Sequence, residues 1–443
     1  MITSPAFAGK RYAVLGLARS GMATVEALLA SGAEVTAWDR RPGPREELAG
    51  RATIADPLEI DLAGFDGVVL SPGVPLNTHP IAARARAAGV PLIGDIELFA
   101  QARASLPPHK VVGITGTNGK STTTALIHHI VKTAGVPTTM GGNIGLPILG
   151  QDPLPEGGVY VLELSSYQID LTYSLDCDVA VLLNITPDHL DRYRDFAAYR
   201  ESKLRLFQLQ ADRRVGVIAT PDAELIQKVL NTLPRPDVVA YPALASEILE
   251  HYLQASAPAL QGPHNAQNIW AAMQVVEALG LPLAAFEAGV KSYPGLPHRM
   301  EIVAEHNGVL FVNDSKATNP ASTAPALAAY PRVHWIVGGL PKGDDLDECA
   351  PHFGHVVAAY TIGEAGPHFA DLLEAVMHVE RCEMLCEATR RALAAAQPGE
   401  VILLSPACAS FDQFRDYEMR GEAFRRIVSE LTGNGAPAAW SAA

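Results

Sequence analysis

The stretch Val111-Val112-Gly113-Ile114-Thr115-Gly116-Thr117-Asn118-Gly119-Lys120-Ser121-Thr122 decides how this chain is read. Its first half is an apolar, β-branched run of the kind buried in a parallel sheet. Its second half is a glycine-rich turn leading into a helix, with apolar residues at 126, 127, 130 and 131 and Gly135 closing it. Gly116 and Gly119 let the backbone curl so that several N–H groups face one anion. The helix start adds positive potential, Lys120 a full charge, and Ser121 a hydroxyl for Mg²⁺. Ile114 stands where a strict Walker pattern has glycine, so this is a variant phosphate loop.

Outward from the loop, Glu163 closes the run Val159-Tyr160-Val161-Leu162, with Ser165-Ser166 after it. A carboxylate at the C-terminal end of a neighbouring parallel strand is where a Mg²⁺ ligand belongs. Read alone, Glu163 suits a loop acid equally well.

Strand-like runs alternate with helical stretches along the whole chain, which predicts an α/β fold of three domains. Residues 1–104 form a Rossmann-like domain: a strand at Arg11–Gly16, a helix from about Met22 to Ala30, and a strand from Glu34 to Trp38 ending in Asp39. Another strand, Val68–Leu70, runs into the turn Ser71-Pro72-Gly73. The segment Arg103–His109 reads as a linker. Residues 105–297 form a central P-loop ATPase-like α/β domain with strands at Val159–Leu164 and Val179–Asn184 and a helix at Ala266–Leu279. Tyr293-Pro294-Gly295-Leu296-Pro297 marks the next boundary. Residues 298–443 form a Rossmann-like C-terminal domain with strands at Val309–Val312, His334–Val337, Val357–Ile362 and Val401–Leu404.

Bulk properties narrow the class. A formal charge of −14 over 443 residues argues against nucleic-acid binding, which needs a basic face. No apolar run approaches the roughly 20 residues of a membrane span, and the first residues lack a signal-peptide layout. Five cysteines (177, 349, 382, 386 and 408) without metal-type spacing suit reduced thiols. The expectation is a cytoplasmic protein.

Taken in order, Gly116–Thr122, Glu163-Leu164-Ser165-Ser166-Tyr167-Gln168, Asn184-Ile185-Thr186-Pro187-Asp188-His189 and Lys203 resemble the motifs of the Mur ligases. Gly262-Pro263-His264-Asn265-Ala266-Gln267-Asn268, His298-Arg299-Met300-Glu301, Asn313–Asn319 and Ser405–Asp412 continue the set to the end of the chain. The resemblance is strongest to the glutamate-adding branch. The Asp-Asn-Pro-Arg motif of the diamino-acid-adding branch is absent, as is the Ala-His-Asn-Pro run of folylpolyglutamate synthetases.

The resemblance implies an ATP-dependent ligase that adds D-glutamate to UDP-N-acetylmuramoyl-L-alanine through an acyl phosphate, in peptidoglycan synthesis. It implies ATP, two Mg²⁺ ions and a carbamate on Lys203 as cofactors, small-molecule partners only, and a monomer. Lys120, Glu163, His189 and Lys203 would be catalytic, with Ser121, Glu163, His189 and Lys203 around the metals. Gly116–Thr122, Asn265, Asn268, Arg299 and Asp314 would hold ATP. Gly16, Leu17, Ala18, Asp39, Arg40, Ser71, Gly73, Asn143 and His189 would line the UDP-substrate site, and Lys316, Thr318, Lys342, Ser410 and Tyr417 the glutamate site. Because the nucleotide-holding groups come from different domains, ATP binding should favour closure. The N-terminal turn Gly16-Leu17-Ala18-Arg19-Ser20-Gly21 with Asp39 leaves a second reading open, a dinucleotide fold whose acid reads a ribose.

Overall fold

The computed structural model describes residues 1–188, 192–232, 237–240, 257–341 and 343–433. It divides into two compact units, Met1–Ala245 with Gln267–Lys291, and Ser246–Ala266 with Ser292–Ala443.

The first unit holds two sheets. One comprises β1 (Arg11–Leu15), β2 (Glu34–Trp38), β3 (Thr53–Ile54), β4 (Gly67–Leu70) and β5 (Leu92–Ile93), in the order β3-β2-β1-β4-β5 with every pair parallel. The other comprises β6 (His109–Thr115), β7 (Thr138–Gly142), β8 (Gly158–Glu163), β9 (Val179–Leu182), β10 (Val215–Ile218) and β11 (Val238–Ala240). Its order is β11-β10-β9-β6-β8-β7, again all parallel. Helices cover these sheets, so β4, β8 and β9 are buried along their whole length.

One apolar cluster runs through both sheets of this unit, joining Phe99 below the first to Tyr160 on the second. Their rings meet edge to face at 5.0 Å. Each such fully buried side chain stabilises the fold by roughly 1.5–3 kcal/mol. The segment expected as a linker is therefore built in. Arg103 donates to the Asp176 carbonyl and lies 3.5 Å from Asp178, which also pairs with Arg214. A linker reading based on proline content misses such ties because they come from distant residues.

The second unit is built on β12 (Glu301–His306), β13 (Val309–Asn313), β14 (Val333–Gly338), β15 (Val356–Ile362), β16 (His378–Glu383) and β17 (Val401–Leu404), ordered β12-β13-β17-β14-β15-β16. Only β12 runs antiparallel, joined to β13 by Asn307-Gly308, both left-handed with φ of 52° and 77°. Two positive φ values in a two-residue connection make a hairpin turn whose twist matches its strands. Trp335 and Val337 feed the core on one face and Ile336 that on the other, the period-2 alternation of a strand buried on both sides.

Gly21, in the first turn of the helix Arg19–Ala30, shows how tightly the N-terminal turn is packed. A Cβ there would sit 1.9 Å from the Gly16 carbonyl oxygen, a backbone atom that cannot step aside. We predict that Gly21→Ala destabilises the first unit by about 1–3 kcal/mol, read as a lower Tm in thermal unfolding; an unchanged Tm contradicts this packing.

Candidate active site

β6 delivers the phosphate loop to the C-terminal edge of its sheet. Gly119 caps the helix Lys120–Thr133 in a left-handed conformation (φ 84°), and a Cβ there would lie 2.6 Å from Asn268 Oδ1. Both facts demand glycine. Asn268 also accepts from Thr123 Oγ1 at 3.1 Å, fixing the first helical turn. The loop is pinned from the next strand end: Thr117 N–H donates to the Asn184 carbonyl (2.9 Å) and Asn118 N–H to Asn184 Oδ1 (2.8 Å). Tyr199 OH reaches Thr117 Oγ1 at 3.2 Å. Lys120 folds back over the loop, its ammonium donating to the carbonyls of Gly116 (2.9 Å) and Thr117 (2.7 Å).

Register places the acid beside this loop, because β6 pairs with β8 so that Ile114 faces Glu163. Glu163 is buried. Its Oε1 accepts from Asn143 Nδ2 at 2.8 Å, and Oε2 has no hydrogen-bond partner. A buried carboxylate oxygen left open beside a phosphate loop fits a hard divalent cation. Ser121 is buried at the start of the adjoining helix. Among the described residues no group of three or more His, Cys, Asp or Glu is placed to hold a metal. Glu163 and Ser121 are the described residues that would hold such a cation.

Lys203 lies on the helix Phe196–Gln208, 2 % exposed, where the apolar face of that helix packs down. Its Nζ donates to the same Gly116 carbonyl at 2.8 Å and sits 4.7 Å from the Tyr199 ring centre. Burial drives its pKa well below the usual lysine value and the Lys120 charge lowers it further, against the pull of Asp188, Asp170 and Glu163. The structure thus brings Lys120, Glu163 and Lys203 together. His189 lies outside the described residues.

On the N-terminal sheet, Gly16 is left-handed (φ 91°) and Ser71 Oγ donates to its carbonyl at 2.7 Å, joining two predicted segments. Leu17 N–H donates to Asp39 Oδ2 at 2.7 Å. Asp39 also pairs with Arg41 Nε at 3.1 Å, and that bond, with lesser help from the backbone, lowers its pKa to about 2. Asp39 thus braces the turn from below while being held as a carboxylate. Arg41, not the exposed Arg40, is its partner; the Asp-Arg-Arg run was the signal, and the second arginine was passed over. Ala18 precedes the helix Arg19–Ala30, and the Gly73 carbonyl accepts from Arg192 at 3.4 Å.

In the second unit, Arg299 stands between two left-handed residues, His298 (φ 60°) and Met300 (φ 47°), and its Nε is buried without a partner. Asp314 ends the run from β13. It accepts from Met300 N–H (3.2 Å) and Ser405 Oγ (2.8 Å), yet burial raises its pKa to about 7. Asn265 donates to the Gln261 carbonyl at 2.9 Å from the helix Pro263–Leu279. Lys316 lies 5.5 Å from the Tyr417 ring centre, Thr318 is half-buried and Ser410 is buried. Lys342 lies outside the described residues. Sequence reasoning missed Arg420, which is fully buried and donates to the carbonyls of Ser315, Cys408 and Ala409, tying the loops that carry Lys316 and Ser410. Nothing in its sequence neighbourhood announces a buried arginine.

Residues 10–94 match the MurD-like N-terminal domain, 114–276 the Mur ligase middle domain, and 298–408 the Mur ligase glutamate ligase domain. The chain is 66 % identical over 431 residues to the UDP-N-acetylmuramoylalanine–D-glutamate ligase of Novosphingobium aromaticivorans, covering 97 % of each chain. The protein of the same name from Sphingopyxis alaskensis is 60 % identical, with 97 % of this chain and all of that one covered. Among solved structures, MurF from Acinetobacter baumannii superposes with a TM-score of 0.60 at 16 % identity, over 97 % of this chain and 92 % of that one. UDP-N-acetylmuramate–alanine ligase from Thermotoga maritima gives 0.58 at 16 %, over 95 % and 99 %. A phosphate loop facing an open buried carboxylate and a desolvated lysine, in a chain matched by all three domain models and by full-length relatives, places this protein in the Mur ligase family.

Proposed function

We propose that this protein uses ATP to join D-glutamate to UDP-N-acetylmuramoyl-L-alanine, releasing ADP and phosphate, a step of peptidoglycan synthesis. The observation that carries the reading is the Gly116 carbonyl shared by Lys120 and Lys203, with the open Glu163 carboxylate at the end of the neighbouring strand. The curated relatives at 60–66 % identity bear that activity in their names. Among the described residues no helix is long and apolar enough to cross a membrane.

A carboxylate does not condense with an amine, because oxide is a poor leaving group. The acceptor carboxylate instead attacks the γ-phosphorus of ATP, the bond to ADP breaks, and an acyl phosphate results. The glutamate amine then attacks the acyl carbon and loses a proton as phosphate departs. The protein's share of this is positioning and neutralisation of crowded anions. Lys120 releases its two carbonyls to meet the β- and γ-phosphates, which the loop N–H groups and helix start also face. Ser121, Glu163, His189 and a modified Lys203 would hold Mg²⁺, two ions being the expected number, and the metal would supply positive charge to offset the crowded anions.

The environment of Lys203 supports its modification. A neutral amine adds to CO₂, forming an N–C bond and losing a proton, so that a cation repelling metal becomes an anion attracting it. We assign Gly116–Thr122, Asn265, Asn268, Arg299 and Asp314 to ATP. Gly16–Ala18, Asp39, Arg40, Ser71, Gly73, Asn143 and His189 go to the UDP-sugar, and Lys316, Thr318, Lys342, Ser410 and Tyr417 to glutamate, a dianion suited to cations and hydroxyls. The reading keeps three functional domains, 1–104, 105–297 and 298–443, in a cytoplasmic monomer.

Phosphate release from ATP should require both the UDP-linked acceptor and D-glutamate; release that ignores glutamate, or that L-glutamate supports equally, contradicts the assignment. Lys203→Ala should lose about 100-fold or more in kcat, with partial rescue by short carboxylic acids, and full activity in that variant removes the carbamate. Asp314 gives a pH test. Its folded pKa, about 7, lies above the ordinary value of 3.8. The folded state therefore holds the extra proton between those limits, and stability from this group falls as pH rises through them. Asp314→Asn should raise the Tm at pH 8 relative to the parent, with little gain at pH 4, while raising the KM for ATP; equal Tm differences at both pH values would contradict the burial argument.

A further inference from the structure

Within the first unit, the half-buried Arg192 crosses a narrow crevice lined by Pro72 and Val74 on one side and by Tyr167, Asp170 and Tyr193 on the other. The first side follows β4, and Tyr167 and Asp170 lie on the helix Ser166–Asp170 that follows β8. Arg192 Nη2 donates to the Gly73 carbonyl at 3.4 Å, and its guanidinium lies 5.0 Å from the Tyr167 ring centre.

Three tyrosine rings continue from there. Tyr167 stacks on Tyr193 with centres 6.0 Å apart and planes 9° from parallel, and Tyr193 meets Tyr199 edge to face at 5.4 Å. Tyr199, 1 % exposed, has Lys203 Nζ 4.7 Å from its ring centre and its hydroxyl at Thr117 of the phosphate loop. The row therefore has Arg192 at one end and Lys203 at the other. Polar contacts lock its middle ring. Tyr193 OH donates to Asp170 Oδ2 at 2.8 Å and lies 3.3 Å from Ser202 Oγ, which donates to the Ser166 carbonyl at 3.1 Å. Ser202 is buried and immediately precedes Lys203. Ring faces hold a cation and each other in defined geometries, and a densely packed row of rigid rings passes on a displacement instead of absorbing it.

We propose that Arg192, Tyr167 and Tyr193 are positioning residues, which set the Ser71–Gly73 turn in register with the helix that carries Lys203. That the turn receives the UDP-sugar and that Lys203 becomes a carbamate rest on the function proposed above. Arg192 grips the turn by its Gly73 carbonyl, the rings carry that position across the crevice, and Tyr199 with Ser202 delivers it to Lys203. Acceptor and modified lysine are thereby kept at a fixed reach from each other.

The test measures two quantities on the full chain and on Arg192→Ala, Tyr193→Ala, Tyr193→Phe and the double alanine variant, with Tm recorded for each. One is the Kd of UDP-N-acetylmuramoyl-L-alanine by calorimetry. The other is the bicarbonate concentration that half-fills the Lys203 carbamate resonance under ¹³C-bicarbonate. Each single alanine variant should weaken acceptor binding about 10-fold and raise the bicarbonate midpoint about threefold. Tyr193→Phe, which keeps the row of rings, should stay within about twofold of the parent on both. The double variant should be no worse than the worse single one, because both substitutions break one row. A lowered Tm with both quantities unchanged would show a merely structural role and overturn the proposal. Losses that multiply in the double variant, or a Tyr193→Phe variant as impaired as Tyr193→Ala, would overturn it too. Should Tyr193→Ala not fold, Arg192→Ala decides the matter, since it must move both quantities. A parent that does not bind the UDP-linked acceptor would instead refute the functional reading, and the bicarbonate midpoint of Arg192→Ala, altered at the far end of the row, would still judge the proposal.

Discussion

Two lysines share one carbonyl oxygen, and the candidate site is organised around that fact. Gly116 O accepts from Lys120 and from Lys203. Lys120 stands on the phosphate loop itself, where its charge can pair with a phosphate. Lys203 is buried behind it with no such outlet, and desolvation together with the neighbouring cation favours the neutral amine. Two like charges at such range in a poorly solvated place would otherwise cost several kcal/mol. The glycine turn, the Asn184 brace and the Tyr199 contact all serve to hold the carbonyl where both lysines meet it.

The second unit solves a related problem with a different device. Its loops carry Lys316 and Ser410 and are held fixed. Arg420 does this from within, spending its donors on the carbonyls of Ser315, Cys408 and Ala409. Burial lowers its pKa to about 10, so it stays charged at neutral pH. The same desolvation acts on Asp314, where it raises the pKa and favours the neutral acid.

How much was legible in the sequence follows from burial. The strands read in advance, β1, β2, β4, β6, β8, β9, β13, β14, β15 and β17, are interior strands, covered on both faces and written as continuous apolar runs. Six of the seven that escaped, β3, β5, β7, β11, β12 and β16, are sheet edges. Edges are short or polar, as in His378-Val379-Glu380-Arg381-Cys382-Glu383, and carry no run to detect. Interior β10 was also missed, a four-residue run broken by Gly216. At the site, motif residues such as Lys120 and Glu163 were legible because their chemistry is tied to a strand end. Tyr199 and Arg420 were not, since their partners Thr117 and Ser315 lie 82 and 105 residues away, whereas Arg41 stands two residues from Asp39 in a pair of arginines that offers no ground for choosing between them.

The account turns on the protonation and modification of Lys203. Carbon-13 NMR of the protein equilibrated with ¹³C-bicarbonate reads this directly. A protein-bound carbamate resonance should appear in the parent, strengthen as pH rises and vanish in Lys203→Ala. A parent spectrum without that resonance, or one in which it persists after Lys203 is removed, contradicts the claim that this buried amine is the group converted into a metal-binding anion.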